Sequence, residues 1–260
     1  MTWAYAYDVG PPGGTFVDIL DFADSVRILD ESTPGLRGSD PISQHVHGEV
    51  SSPRKFYSAI TLSIEMQISG TNAAGAITHG DGEAGHRYEN LGTMFRLFAG
   101  TQGKLVRLRR TSPHQGTVYM DMWLIDEPRP TQNRFMYRIN MRAPHPFWVG
   151  AADTGNTPTT LTVAGDAPID DMVIDFTGGT DARLTLDATG DYIEIVGALP
   201  AGGVRVDVGT QSVTKITGGA DYSNALRSLN PWWLELDPGA NAVTLTGGGS
   251  VSVDWFTKWR

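Results

Sequence analysis

Ile60, Leu62, Ile64, Met66 and Ile68 alternate with Thr61, Ser63, Glu65 and Gln67, a period of two that gives one strand an apolar face and a wet face. Upstream, "TFVDILDFADSVRILD" holds two shorter apolar runs that also read as strands. Downstream the period changes: in "HRYENLGTMFRLFAG" Tyr88, Leu91, Met94, Phe95 and Phe98 fall at helical spacing, and Gly100 stands where a C-terminal cap belongs. The pattern predicts one substantial helix, at about residues 86–99. Three strands follow, "KLVRLRR", "TVYMDMWLID" and "RFMYRINMR". In the last, Phe135, Tyr137, Ile139 and Met141 share one face, and Met136, Arg138, Asn140 and Arg142 the other.

All periodicity stops in "APHPFWVGAADTGNTPTT", where prolines and a Gly/Thr/Asn-rich run predict a boundary between a unit over 1–148 and a unit over 149–260. Beyond it, "TLTVAG", "MVIDFTGG", "ARLTLDA", "DYIEIVG", "VRVDVG" and "SVTKITGG" read as short strands separated by Gly, Asp or Pro. This cadence predicts an antiparallel β-sandwich or barrel. The expected fold class is mainly β: an N-terminal β-domain with one helix, then a C-terminal antiparallel sandwich.

In "NPWWLELDPGANAVTLTG" alternation sets Trp232, Leu234 and Leu236 on one face, as core, and Trp233 and Glu235 on the other. Pro238 and Gly239 supply the fixed φ and the positive φ of a type II turn, Asn241 tolerates strained geometry, and a hairpin is expected whose second arm carries Val243 and Leu245. In the last strand Val251, Val253 and Trp255 form the core face, whereas Phe256 lies opposite and Trp259 just beyond. A sandwich strand needs one apolar face only. Phe256 and Trp259 are therefore expected to be covered by the N-terminal unit or by a neighbouring subunit.

Composition narrows the function. The 260 residues contain no cysteine, which excludes disulfides, thiolate metal sites and a cysteine nucleophile. No basic segment leads an apolar run, and no apolar stretch nears the roughly 18 residues that span a membrane. A protein made and kept in the cytoplasm, or assembled from there, is expected, with no membrane insertion. Residues 1–150 carry 14 Lys and Arg against 15 Asp and Glu, but residues 151–260 carry 6 against 14, so −8 of the net −9 sits in the C-terminal part. Neither half has the basic excess of a nucleic-acid binder.

Candidate chemistry is sparse. Gly80, Gly82 and Gly85 match GxGxxG, but Asp81 and Glu83 would repel a pyrophosphate, the preceding "GAIT" is a poor strand and no acidic residue follows about 20 residues on, so a loop leading into the helix is the expectation. His45, His47 and Glu49 alternate in a polar loop, and His79 and His86 flank the glycines; exposed loop positions explain them better than a metal does. No nucleophile elbow or P-loop is present, and the adjacent Asp170 and Asp171 do not form a carboxylate pair across a cleft. No catalytic residue, cofactor or metal is expected. Arg107, Arg109 and Arg110, with Arg129, Arg134, Arg138 and Arg142, are the one basic concentration. Arg107 with Arg109, and Arg138 with Arg142, form stripes that either face water or meet an acidic neighbour.

The order of these segments, with the helix "YENLGTMFRLFAG", the strand "KLVRLRR", the aromatic strand before "PGAN" and the terminal "DWFTKWR", resembles the distal tail protein family of long, non-contractile-tailed bacteriophages. The resemblance spans nearly the whole chain and departs from the family pattern in the long 31–56 loop. It implies a non-enzymatic virion protein of the tail tip, assembled in the host cytoplasm. It implies a hexameric ring of N-terminal domains around a channel, with galectin-like C-terminal domains projecting outward. The implied partners are further copies of itself, the tail tube protein, the tail-tip hub, the tape measure protein and a receptor-binding protein, with DNA only as passing cargo. By that reading Arg107, Arg109, Arg138, Arg142, Phe256 and Trp259 are interface residues. The alternative is a carbohydrate-binding sandwich, in which Tyr192, Tyr222, Trp233 or Trp259 stacks on a host glycan.

Overall fold

The computed structural model describes residues 6–11, 14–31, 36–37, 56–57, 59–98, 105–131, 135–145, 147–228 and 234–260. The protein is mainly β, with large antiparallel sheets and one α-helix among the described residues. It divides into two compact units, Met1–Trp148 with Arg260, and Val149–Trp259.

The first unit contains β1 (Ala6–Gly10), β2 (Val17–Asp18), β3 (Ala23–Glu31), β4 (Leu36–Arg37), β5 (Phe56–Tyr57), β6 (Ile60–Ile68), α1 (Gly82–Phe98), β7 (Val106–Ser112), β8 (Gly116–Leu124), β9 (Arg129–Pro130) and β10 (Met136–Ala143). Their antiparallel order is β2-β1-β7-β8-β10-β6-β3, with β9 on β10 and β4 paired with β5. β6 alternates buried and half-buried residues along its whole length, as the period-two pattern expects, and Met136–Ala143 runs against it in unbroken register. Each fully buried aliphatic side chain on this face contributes about 1.5–3 kcal/mol by leaving water.

The helix starts earlier than the hydrophobic spacing suggests, within the glycine-rich loop at Gly82, and its buried side holds Gly85, His86, Met94 and Phe98. Tyr88 lies 60% exposed. Gly85 and His86 thus take the inward place that the aromatic spacing gave to Tyr88: a Cβ on Gly85 would strike the His79 ring, and the His86 imidazole finds polar partners there. Gly100, the expected cap, lies outside the described residues.

The second unit contains β11 (Trp148–Asn156) from Val149 onward, β12 (Thr160–Val163), β13 (Val173–Thr177), β14 (Thr180–Leu186), β15 (Tyr192–Ala198), β16 (Val204–Asp207), β17 (Ser212–Lys215), β18 (Leu226–Ser228), β19 (Gly239–Thr246) and β20 (Ser250–Trp259). Two antiparallel sheets, β17-β16-β13-β20-β11 and β12-β19-β14-β15-β18, bury one shared cluster that includes Phe176, Leu184, Ile193, Ile195, Val206, Val253 and Trp255. β11 lies in the stretch whose prolines and polar residues break the pattern. From Ala151 onward its residues are almost all exposed, so no apolar alternation marks it.

Leu234 and Leu236 are buried, as expected, but they are not the arm of a hairpin. Leu236 bridges Ile169, and β19 pairs instead with β12 and β14. Gly239 takes the positive φ of +97° that the turn needs. Asn241 is not strained; its buried side chain accepts the Asp237 N–H at 3.0 Å and donates to the Asp237 carbonyl at 2.8 Å and the Gly239 carbonyl at 3.1 Å. A side-chain amide therefore does the work that a second strand was expected to do. Trp232 and Trp233 lie outside the described residues.

At one end of the sandwich the β13–β14 and β19–β20 turns meet backbone to backbone. A Cβ on Gly249 would stand 2.3 Å from the Gly178 carbonyl oxygen, and one on Gly179 would stand 2.5 Å from that of Gly248. Both glycines also have positive φ.

Candidate interaction surfaces

On β7, Arg107 and Arg109 alternate with buried Val106 and Leu108 and so share the sheet's outer face. Cross-strand register decides what they meet: Arg107 faces Asp121 on β8, and Arg109 lies between Tyr119 on β8 and Asp8 on β1. Arg107 donates to both oxygens of Asp121, at 2.5 and 2.6 Å, and Arg109 Nε donates to Asp8 at 2.5 Å. These bonds hold both guanidinium groups above their ordinary pKa, against the opposing effect of burial. The Arg109 guanidinium also lies 4.7 Å over the ring of Phe16.

Arg138 and Arg142 share the outer face of β10. Arg138 stands opposite Glu65, whose other neighbour across β3 is Arg27, and its Nη2 lies 3.9 Å from the Glu65 carboxylate. Arg142 stands opposite Trp123, which is 43% exposed, and has no ion-pair partner among the described residues. The two stripes thus lie on one sheet face and differ in charge state. The Arg107–Arg109 stripe is neutralised by carboxylates, whereas Arg142 leaves a positive charge beside an exposed indole.

Arg110 belongs to the opposite, buried face: its guanidinium lies 4.2 Å over the Trp148 ring and donates to Gln115 at 2.7 Å. The strand alternation itself, which puts Arg110 in phase with Val106 and Leu108, is the signal that separates it from the other arginines. Arg129 pairs locally with Asp126 at 3.2 Å. Arg134, His45, His47 and Glu49 lie outside the described residues.

The glycine loop before the helix is held by a histidine. His86 Nε2 accepts the backbone N–H groups of Thr78 at 2.8 Å and His79 at 2.9 Å, and its Nδ1 lies 3.5 Å from the Glu89 carboxylate. His79 Nδ1 accepts the N–H of Asp81 at 3.1 Å. These histidines order the loop, and among the described residues no group of His, Asp or Glu is placed to hold a metal ion.

In the second unit Trp255 is buried and Phe256 is 53% exposed on the opposite face of β20. Trp259 is half-buried, and its indole nitrogen is enclosed without a hydrogen-bond partner. Asp170 and Asp171 both receive the buried Lys258 Nζ, at 2.7 and 3.0 Å. The carboxylate pair is thus a clasp on the last strand; the lone lysine among terminal aromatics was its only sequence signal. Tyr192 is covered at 3.6 Å by the Arg183 guanidinium, and Tyr222, part of the core periphery, lies 5.5 Å from the Lys215 ammonium. Trp233 lies outside the described residues. On the outer face of β13, Arg205 binds Asp175 in two bonds of 2.8 and 2.7 Å, with Asp254 and Asp207 in its field.

No helix among the described residues is long and apolar enough to cross a membrane. No protein-family model matches the chain, and no curated protein matches it either. A protein of the phage p2 baseplate, in its activated conformation with strontium, aligns over 97% of this chain and 98% of its own, at 12% identity and a TM-score of 0.40, below the level that establishes a common fold. The Dit protein of phage SPP1, described as a paradigm of the hub adsorption apparatus in phages that infect Gram-positive bacteria, aligns over 98% of this chain and 99% of its own, at 17% identity and a TM-score of 0.63. Across both of its units, then, the chain shares the fold of that phage protein.

Proposed function

We propose that the chain is a structural, non-enzymatic component of a bacteriophage tail tip, forming a hexameric ring that joins the tail tube to the tail-tip hub and its adsorption apparatus. The observation that carries this reading is the likeness to SPP1 Dit over practically all of both chains, which includes the helix-bearing first unit as well as the sandwich. A freestanding lectin has no use for the first unit. Copies of the chain, the tail tube protein, the tape measure protein and a receptor-binding protein are the partners of such a ring; DNA crosses it without sequence readout.

The arrangement of the outer face supports an assembly role. Trp123 and Arg142 lie side by side, an aromatic and an arginine of the kind that anchors protein interfaces. The second unit carries the acidic excess that such a positive site would meet on a neighbouring copy. Light scattering and negative-stain imaging of the purified chain test the reading. The expected result is a ring of mass six times the 28.1 kDa of one chain. A monomer at every concentration, with the tail tube protein present or absent, overturns it.

A further inference from the structure

An open cleft of about 430 Å³ lies on the second unit, beside the paired glycine turns, and no residue in it belongs to the surfaces assigned above to assembly. Three strand ends build it. Asp175 and Thr177 come from β13, their register partners Ser252 and Ser250 from β20, and Asn156 from the end of β11. Ile216 supplies an exposed apolar edge.

Three features distinguish this cleft from ordinary surface relief. Thr157, at its rim, has a φ of +43° although it is β-branched and precedes Pro158, two properties that each disfavour that conformation. Its N–H is bound to the Val251 carbonyl at 2.6 Å, so the fold maintains the strain. Backbone strain held in this way concentrates at ligand sites. Second, Asp175 is fixed by its two bonds to Arg205, yet a carboxylate has about four acceptor positions, and two remain for a ligand. Third, the side chains of Asn156 and Ser252 are engaged by no other described residue, while Thr177 and Ser250 bind each other at 2.6 Å.

The lining selects a ligand class. Arg205 is committed to Asp175 and lies in the field of Asp207 and Asp254, so its charge is not open to an anionic ligand and the carboxylates repel one. An apolar ligand would strip water from the amide, hydroxyl and carboxylate groups without replacing its hydrogen bonds. A compact uncharged ring with several hydroxyls satisfies both demands: hydroxyls donate to Asp175 and exchange bonds with Asn156, Ser252 and the Thr177–Ser250 pair, and the C–H face of the ring packs on Ile216. We propose that this cleft binds a neutral saccharide unit. The inference stands on the second unit's geometry and is independent of ring assembly.

Saturation-transfer NMR on the full chain tests it, with glucose, galactose, N-acetylglucosamine and rhamnose as neutral probes and glucuronate and glucose 6-phosphate as anionic ones. Transfer to at least one neutral sugar is expected, with no transfer to the anions. Asp175→Asn, which keeps the shape, and Ser252→Tyr, which fills the cleft, are each expected to weaken that binding at least tenfold, with thermal unfolding confirming that both variants fold. No transfer to any neutral sugar overturns the proposal, as does equal binding of glucuronate. Binding that survives both variants but is lost in Tyr192→Ala also overturns it and moves the ligand to the other sheet.

Discussion

Asp121 on β8 accepts both Nε and Nη2 of Arg107 on β7, at 2.5 and 2.6 Å, so the first arginine of the basic stripe is closed by a cross-strand carboxylate. Both partners are about a third exposed or less, in the range where such a pair contributes about 0.5–1 kcal/mol after solvent screening. Asp121→Asn is expected to lower the first unit's melting temperature by about 1–4 °C in calorimetry, the loss shrinking in high salt. A change unaffected by salt would show that packing, not charge, is what the pair supplies.

Assembly should depend on a different arginine. Arg142 is exposed, has no ion-pair partner among the described residues and stands opposite Trp123. Under the ring reading, Arg142→Glu combined with Trp123→Ser leaves unfolding within about 1 kcal/mol of the parent, because exposed positions away from packed contacts change stability little. The same double variant is expected to run as a monomer in light scattering. A variant that still forms rings removes this face from the interface.

His86 is the buried fastening of the 71–81 loop. His86→Leu keeps roughly the volume but removes the acceptor of two backbone N–H groups on the loop, and each net hydrogen bond lost costs about 0.5–1.5 kcal/mol. Urea unfolding is expected to show a loss of about 1–3 kcal/mol, and limited proteolysis new cleavage within 71–81. Equal protease resistance in parent and variant would mean that the loop is held by other contacts.

How much of this was legible in the sequence depended on whether a single residue type could signal its environment. The alternation in Ile60–Ile68 was legible because one strand face is core and the other water, and the structure buries those residues as read. The mainly β fold and the short strands after residue 160 were legible for the same reason. β11 was not, because from Ala151 it buries almost nothing and leaves no periodic mark. The hairpin expected after Leu236 failed because Pro238 and Gly239 specify a turn but not which strand follows it, and the Asn241 amide closes that turn alone. Of the candidate surface, strand parity placed Arg107 and Arg109 together, but their partners Asp121 and Asp8 arise from register between distant segments. The cleft lining comes from five such segments and carries no local motif.

Asn241 should be among the most sensitive polar positions of the second unit. Its side chain makes hydrogen bonds to Asp237, Gly239 and, at 3.4 Å, the Leu161 carbonyl, all from a buried position. Asn241→Ala is expected to cost about 1–3 kcal/mol in denaturant unfolding, since it loses these bonds and leaves the Leu161 carbonyl in a buried position without its amide partner. A loss below 1 kcal/mol would show that water replaces the amide.

Thr157→Gly has the opposite expected sign. The positive φ costs a β-branched residue about 1–3 kcal/mol, and the extra freedom of glycine in the unfolded chain takes back about 0.5–1 kcal/mol. The net expectation is a gain of about 1 kcal/mol, seen as a rise of about 2–4 °C in the melting of the second unit. A lower melting temperature would show that the threonine side chain contributes more than its backbone costs.

The crossing of the two glycine turns decides where this sandwich can vary over generations. Because Gly179 and Gly249 each approach the opposite turn closer than any Cβ allows, neither turn accepts an inserted peptide, a graft or an exchanged residue without separating both. The turn at Gly218 and Gly219 has positive φ as well, but a Cβ there meets nothing within 4 Å. A side chain is therefore sterically easier to place at that turn, though strained by the positive φ, than at the crossed turns, where the opposite backbone blocks it as well.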